Sequence, residues 1–253
     1  MINFKNNIIL DNIDTWPIEV QKLLHNNKTI LLKYFEEEQI LNTKILNNLL
    51  LKYDGIKNPL NENWIQINKK INKMLSNHSI IGIHCTKLLD WEIEDIENNG
   101  LIPLNGKSAN KRIHNAYNKV FLSYKLYKKL SINTKFSDNN RKNKIWFFHC
   151  LKTLQVTNGI NVFFDNWGGE SMFFNEKDNE ELLNIGTSCI IFVSLKINKL
   201  DFYPILSNRL ISIYLNNNVF EHDTDTIYNQ KIKVLDIYKR TDYTFRDLTG
   251  ILD

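Results

Sequence analysis

The stretch SIIGIHCTKLLDWEIEDIENNGLIPL, Ser79 to Leu104, changes character twice within one short run. SIIGIHC is apolar and rich in β-branched residues, which predicts a buried strand. DWEIEDIENNG predicts a helix with Asp90 as N-cap, acids in its first turns, and Gly100 at the left-handed C′ position. Side chains alternate along a strand, so His84 and Thr86 share one face and Cys85 takes the other. The chain holds only six His in 253 residues, and one of them closes this strand. Cys85, facing away from it, reads as a packing residue.

Upstream, the first 78 residues are predicted helical. DTWPIEVQKLLHN offers Asp14 or Thr15 as N-cap and Pro17 in the first turn. ILLKYFEEEQILNTKILNNLLLKY continues with leucines at three- and four-residue steps. Trp64, Ile67, Ile71 and Met74 form a further helical stripe. Downstream, strands are predicted at KVFLSY (119–124), GINVFF (159–164), SCIIFVSLKI (188–197) and QKIKVLDIYK (230–239), with a helix after Pro204. No run of βαβ units occurs, so a doubly wound parallel sheet is not expected. The expected fold is α+β: a helical region over 1–78, then a domain over 79–253 built on a split, mostly antiparallel sheet.

Composition supports a globular chain, with 43% hydrophobic and 11% aromatic residues. The net charge of +4 is mildly basic, and its densest clusters lie at 125–129 and 141–144. These clusters read as solvated faces in preference to a nucleic-acid groove. Three Cys (85, 150, 189) in apolar surroundings fit a reducing compartment. No apolar run reaches the length of a membrane span, so the expectation is a cytoplasmic protein, or one delivered into a target cytosol, with no membrane partner.

Several chemistries fail on spacing. His84-Cys85 and His149-Cys150 are adjacent pairs, which strand alternation splits between two faces, and no Cys-x-x-Cys or His-Glu-x-x-His spacing occurs. No metal is therefore expected. The same alternation removes a Cys85-His84 nucleophile pair. Gly-x-Ser-x-Gly, the P-loop and Gly-x-Gly-x-x-Gly are absent from the sequence.

IHCTKLLDWEIEDIENNGLIPL resembles the opening motif of the ADP-ribosyltransferase-fold superfamily, in which a strand ending in His-x-Thr leads through a short helix to a Gly-Leu turn. KVFLSYKLYKK is similar to the second element, a Phe-Leu-Ser strand followed by a helix bearing an aromatic residue. His in the first motif, where the cholera-toxin branch carries Arg, makes the chain look like the diphtheria-toxin/poly(ADP-ribose)-polymerase branch. The likeness covers about residues 79–245.

The resemblance implies an ADP-ribosyltransferase-type sheet and a mono-ADP-ribosyltransferase that consumes NAD as substrate, in a toxin, effector or defence setting. His84 and Thr86 would bind the ribose and its neighbours. Ser123 with Tyr124 or Tyr127 would form the nicotinamide side, and Trp167 would add a stacking surface. The carboxylate that stabilises a ribosyl oxocarbenium ion is Glu221 by order along the chain, or Glu170 in NWGGESMFF by local chemistry. The acceptor, protein or nucleic acid, is left open. The alternatives are an inactive fold member that binds a nucleotide, nucleic acid or partner protein, and an NAD glycohydrolase.

Overall fold

A computed structural model describes residues 4–47, 57–132, 143–155, 160–168, 180–200, 203–215, 225–227 and 230–251. Its class is α+β. The central strand β2 (Ser79–Leu88) and its partner β4 (Thr187–Lys196) are buried along almost their whole length. Both are β-branched and apolar on each face, as a strand covered on two sides must be. They pair antiparallel with His84 opposite Ile191 and Thr86 opposite Cys189. Strand β1 (Asn7–Ile8) joins β2 in parallel, and β6 (Val234–Lys239) joins β4 antiparallel, giving the order β1-β2-β4-β6. A second sheet pairs β3 (Ile145–Phe147) with β5 (Asp225–Ile227).

One face of the large sheet packs on helices. Helix α1 (Ile18–Asn47) and α2 (Asn61–Leu75) bury Val20, Leu24, Leu31, Ile67, Ile71 and Leu75. These join Ile80, Ile191 and Val193 of the sheet, and Leu206 and Leu210 of α8 (Tyr203–Tyr214), in one cluster. The N-terminal helices thus share a core with the strands. The two helical runs expected before residue 50 are one continuous helix. Its start lies at Pro17, whose carbonyl accepts from Val20 and Gln21 N–H. Thr15 is not the cap, because its hydroxyl is held by Ile9 and Asn12. On α2 the buried stripe ends at Leu75, and Met74 turns outward.

The opposite sheet face carries Ile81, Ile83, Cys85, Ile190 and Phe192 against Phe148, Leu154, Phe164 and Phe245. Phe164 belongs to the short helix α6 (Val162–Asp165), and Phe245 to α9 (Tyr243–Thr249). GINVFF was expected as a strand; residues 160–164 instead turn into α6, because two adjacent Phe side chains serve this core as a helical corner.

Helix α3 (Asp90–Asn99) follows β2, with Leu89 in the cap position and Asp90 as its first residue. The expected Asp90 cap is displaced because the Glu92 carboxylate reaches back to the Leu89 N–H at 2.9 Å. Gly100 ends the helix at φ 79°, ψ 171°, a positive φ outside the left-handed helical well. A Cβ there would meet the Ile232 carbonyl at 2.5 Å, so only glycine lets Leu101 bridge to Ile232.

Helices α4 (Gly106–Asn118) and α5 (Tyr124–Ile132) form a hairpin over a separate cluster containing Ala109, Ile113, Leu126, Trp167 and Leu182, the last from α7 (Glu180–Asn184). KVFLSY was expected as a strand and is instead the α4–α5 turn. Phe121 N–H bonds the Ala116 carbonyl and Val120 N–H the Tyr117 carbonyl, a Schellman closure. Val120 holds its left-handed position at φ 65°, where a β-branched residue is strained. Val120 is 89% exposed, so Val120→Gly removes no packing. It is expected to stabilise the fold by about 1 kcal/mol, raising the thermal midpoint by about 2–4 °C. Calorimetry that shows an unchanged or lower midpoint contradicts the strain assignment.

Candidate functional site

The edge of β2 away from β4 is shared out along its length. Strand β1 takes Ser79 and Ile80, Phe148 bridges Ile83, and Trp167 bridges Lys87. Gly82 admits close packing from both sides, since a Cβ there would lie 2.5 Å from Leu195 and 2.9 Å from Val193 of β4, and 3.0 Å from the Phe147 ring. This sequence of partners brings Trp146 beside His84 and Gly168 beside the end of the strand. Around them opens a cavity of about 910 Å³, within the range of small-molecule sites.

His84 and Thr86 line this cavity together. The His84 Nδ1 lies 3.0 Å from the Trp146 carbonyl oxygen. A carbonyl only accepts, so Nδ1 carries the hydrogen. Burial pushes the His84 pKa down, the Trp146 hydrogen bond opposes that, and the Arg112 charge adds to it. The neutral ring therefore keeps Nε2 as a hydrogen-bond acceptor. Cys85 packs into the opposite cluster while also contributing to the cavity lining, and burial pushes its thiol pKa up. Burial also pushes Cys189 up to about 12. Neither thiol is a thiolate nucleophile at neutral pH.

The acidic helix supplies a second group. Glu92, 5% exposed, accepts from the Leu89 N–H, from Trp167 Nε1 at 2.7 Å, and from both Nε and a terminal nitrogen of Arg112. The Arg112 guanidinium also lies 4.9 Å over the Trp167 ring. Trp167 is fully buried. It is not the open stacking surface expected for a ligand: Arg112 lies over the ring and its N–H is donated to Glu92. Glu92, with its donors in place, is a positioned carboxylate that ties α3, α4 and the Trp167 segment around the cavity.

Ser123, Tyr124 and Tyr127 do not line the cavity. Ser123 starts α5, donating its N–H and hydroxyl to Glu181, each at 2.7 Å. Tyr127 stacks on Tyr117 at 4.4 Å and 18°. Tyr124 is 56% exposed. Their expected place beside His84 fails because KVFLSY turns away from the sheet instead of running along it. Glu170 and Glu221 lie outside the described residues.

Sequence reasoning missed the α4 wall, where Ser108, Lys111, Arg112, Asn115 and Lys119 face the cavity at helical spacing. Asn105 caps this helix, accepting from the Ser108 N–H while Ser108 Oγ accepts from the Asn105 N–H. Asn105 followed by Ser108 is the local signal that marks the helix start. Lys144 and Trp146 come from the β3 side. With Arg112 neutralised by Glu92, Lys111, Lys119 and Lys144 outnumber the remaining described acid of the wall, Asp95. The cavity therefore favours an anionic ligand. Trp91 and Trp146 also line it, and their buried indole N–H groups have no acceptor among the described residues. Among the described residues no group of three His, Cys, Asp or Glu is placed to hold a metal ion, and no helix is long and apolar enough to cross a membrane. No family model matches the chain, and no curated protein or solved structure is significantly similar to it.

Proposed function

We propose that the chain is an NAD-consuming mono-ADP-ribosyltransferase with an ADP-ribosyltransferase-type sheet. The observation that carries this reading is His84, held neutral with Nε2 available, beside Thr86 in a cavity with surplus positive charge; the strand does not end at His84 as the motif implied but runs on to Leu88. A neutral imidazole acceptor suits a ribose hydroxyl, and the lysines suit a dinucleotide's phosphates. The bond broken is that between the ribose C1′ and the nicotinamide nitrogen. Its electron pair leaves with neutral nicotinamide, and an acceptor nucleophile then bonds C1′ and loses its proton. The carboxylate that steadies the intervening cation is Glu170, two residues along the chain from the cavity-lining Gly168, or Glu221. The second reading, a catalytically silent nucleotide binder, is favoured by the absence of Tyr124 and Tyr127 from the wall.

The test is nicotinamide release from labelled NAD, with transfer of label followed in parallel. Wild type is expected to release nicotinamide. Glu170→Gln or Glu221→Gln is expected to lower the rate about 100-fold or more, the size of a lost electrostatic group, and His84→Ala to weaken NAD use. Release without transfer to any macromolecule identifies a glycohydrolase. NAD bound but never cleaved identifies the silent binder and ends the enzyme reading.

A further inference from the structure

We infer that the α4–α5 hairpin is a docking surface for single-stranded nucleic acid. Residues 106–132 hold seven of the chain's 32 basic residues and none of its 28 acidic ones, so the remainder of the chain is net negative at −3. The positive charge of this protein is therefore concentrated on one hairpin. Arg112 is paired with Glu92. Lys107, Lys111, Lys119, Lys125 and Lys128 have no carboxylate within ion-pair distance among the described residues. Glu181 of α7, which meets the hairpin at Ser123, accepts from the Ser123 N–H and hydroxyl.

The same surface carries aromatic rings. Tyr117 stacks on Tyr127, Tyr124 lies 6.2 Å from Tyr117 and is more than half exposed, and Lys128 Nζ sits 5.0 Å over the Tyr124 ring. Cations that track a phosphate backbone, interleaved with rings on which bases stack, are the two requirements of sequence-tolerant single-strand binding. Lys111 and Lys119 continue the positive line from the hairpin into the cavity wall. That concave continuation fits a flexible strand and not a planar lipid surface, which has no means of entering the cavity. Binding here stands whether or not NAD is cleaved; if it is, the bound strand is the natural acceptor.

The experiment is fluorescence anisotropy of the full chain with a labelled oligothymidylate of about 16 nucleotides, without NAD. Binding is expected, with log affinity falling against log salt by about 0.7 for each phosphate contacted. Lys125→Glu combined with Lys128→Glu is expected to weaken binding at least about tenfold and to flatten the slope by about 1.4. Tyr124→Ala is expected to weaken binding about fivefold or more with the slope unchanged. All three side chains are on the hairpin surface, and circular dichroism of each variant reports whether the helices persist. No binding at low salt overturns the inference, as does affinity indifferent to the lysine reversals. So does binding to anionic phosphatidylserine vesicles that the oligonucleotide fails to compete.

Discussion

Glu92→Ala is expected to destabilise the fold by about 3–5 kcal/mol, the range for breaking one side of a buried ion pair. The carboxylate receives four hydrogen bonds from three segments: the start of α3, Arg112 on α4, and the Trp167 indole. Removal leaves a guanidinium that is 12% exposed without its counter-charge, and a buried indole N–H without an acceptor. Against a typical stability of about 5–15 kcal/mol this is a large fraction. Urea unfolding of the variant measures it directly. Glu92→Leu with Arg112→Met is expected to be less damaging than Glu92→Ala, because the apolar pair leaves no buried charge. If Glu92→Ala costs under about 1 kcal/mol, the carboxylate is not the tie between these segments.

Stability is expected to fall as pH drops from neutrality, and His149 contributes to the slope. His149 is 2% exposed and its Nδ1 lies 2.7 Å from the Ile81 carbonyl, to which it donates. Burial pushes its pKa down to about 4, against the Ile81 hydrogen bond and with help from the Arg209 charge. The unfolded chain takes up a proton at the ordinary histidine pKa of about 6.5, and the folded chain does not until about pH 4. The contribution is therefore fully present above pH 6.5 and is lost across the window between those values. The loss is about 2 kcal/mol by pH 5 and about 3 kcal/mol by pH 4. His84, also lowered, adds in the same direction. His149→Phe is expected to be less stable at pH 7.5, through the unpaired Ile81 carbonyl, yet to show a flatter pH profile between 6.5 and 5. An equally steep profile in the variant would assign the slope elsewhere.

The strands that could be read from the sequence are those whose burial is two-sided. SIIGIHC and SCIIFVSLKI are apolar on both faces and became β2 and β4. The alternation that separates Cys85 from His84 and Thr86 was equally legible, because it follows from backbone geometry alone. What failed was local composition read without its partners. KVFLSY has the β-branched and aromatic content of a strand, but it sits between two amphipathic helices whose closure places Val120 in a left-handed turn. Trp167 looked like an open ring beside two glycines; its occupation by Arg112, from a helix more than 50 residues earlier, leaves no trace in the neighbouring sequence. The Glu92–Arg112 pair was invisible for the same reason, while the reach of Glu92 to the Leu89 N–H was a helix-start signal masked by a leucine in the cap position.

The sharing of the β2 edge has a kinetic consequence. His84 faces Ile191 across the strand pair, and its other neighbours arrive from residues near 146 and 167. Bringing strands together across roughly 100 residues costs about 4 kcal/mol in chain entropy before any pairing rewards it. Topologies dominated by such distant contacts fold slowly. During synthesis, the strand bearing His84 therefore leaves the ribosome long before its walls exist. The cavity is lined by residues from His84 to Gly168, so a nascent chain that has exposed only the first of them carries His84 without its site.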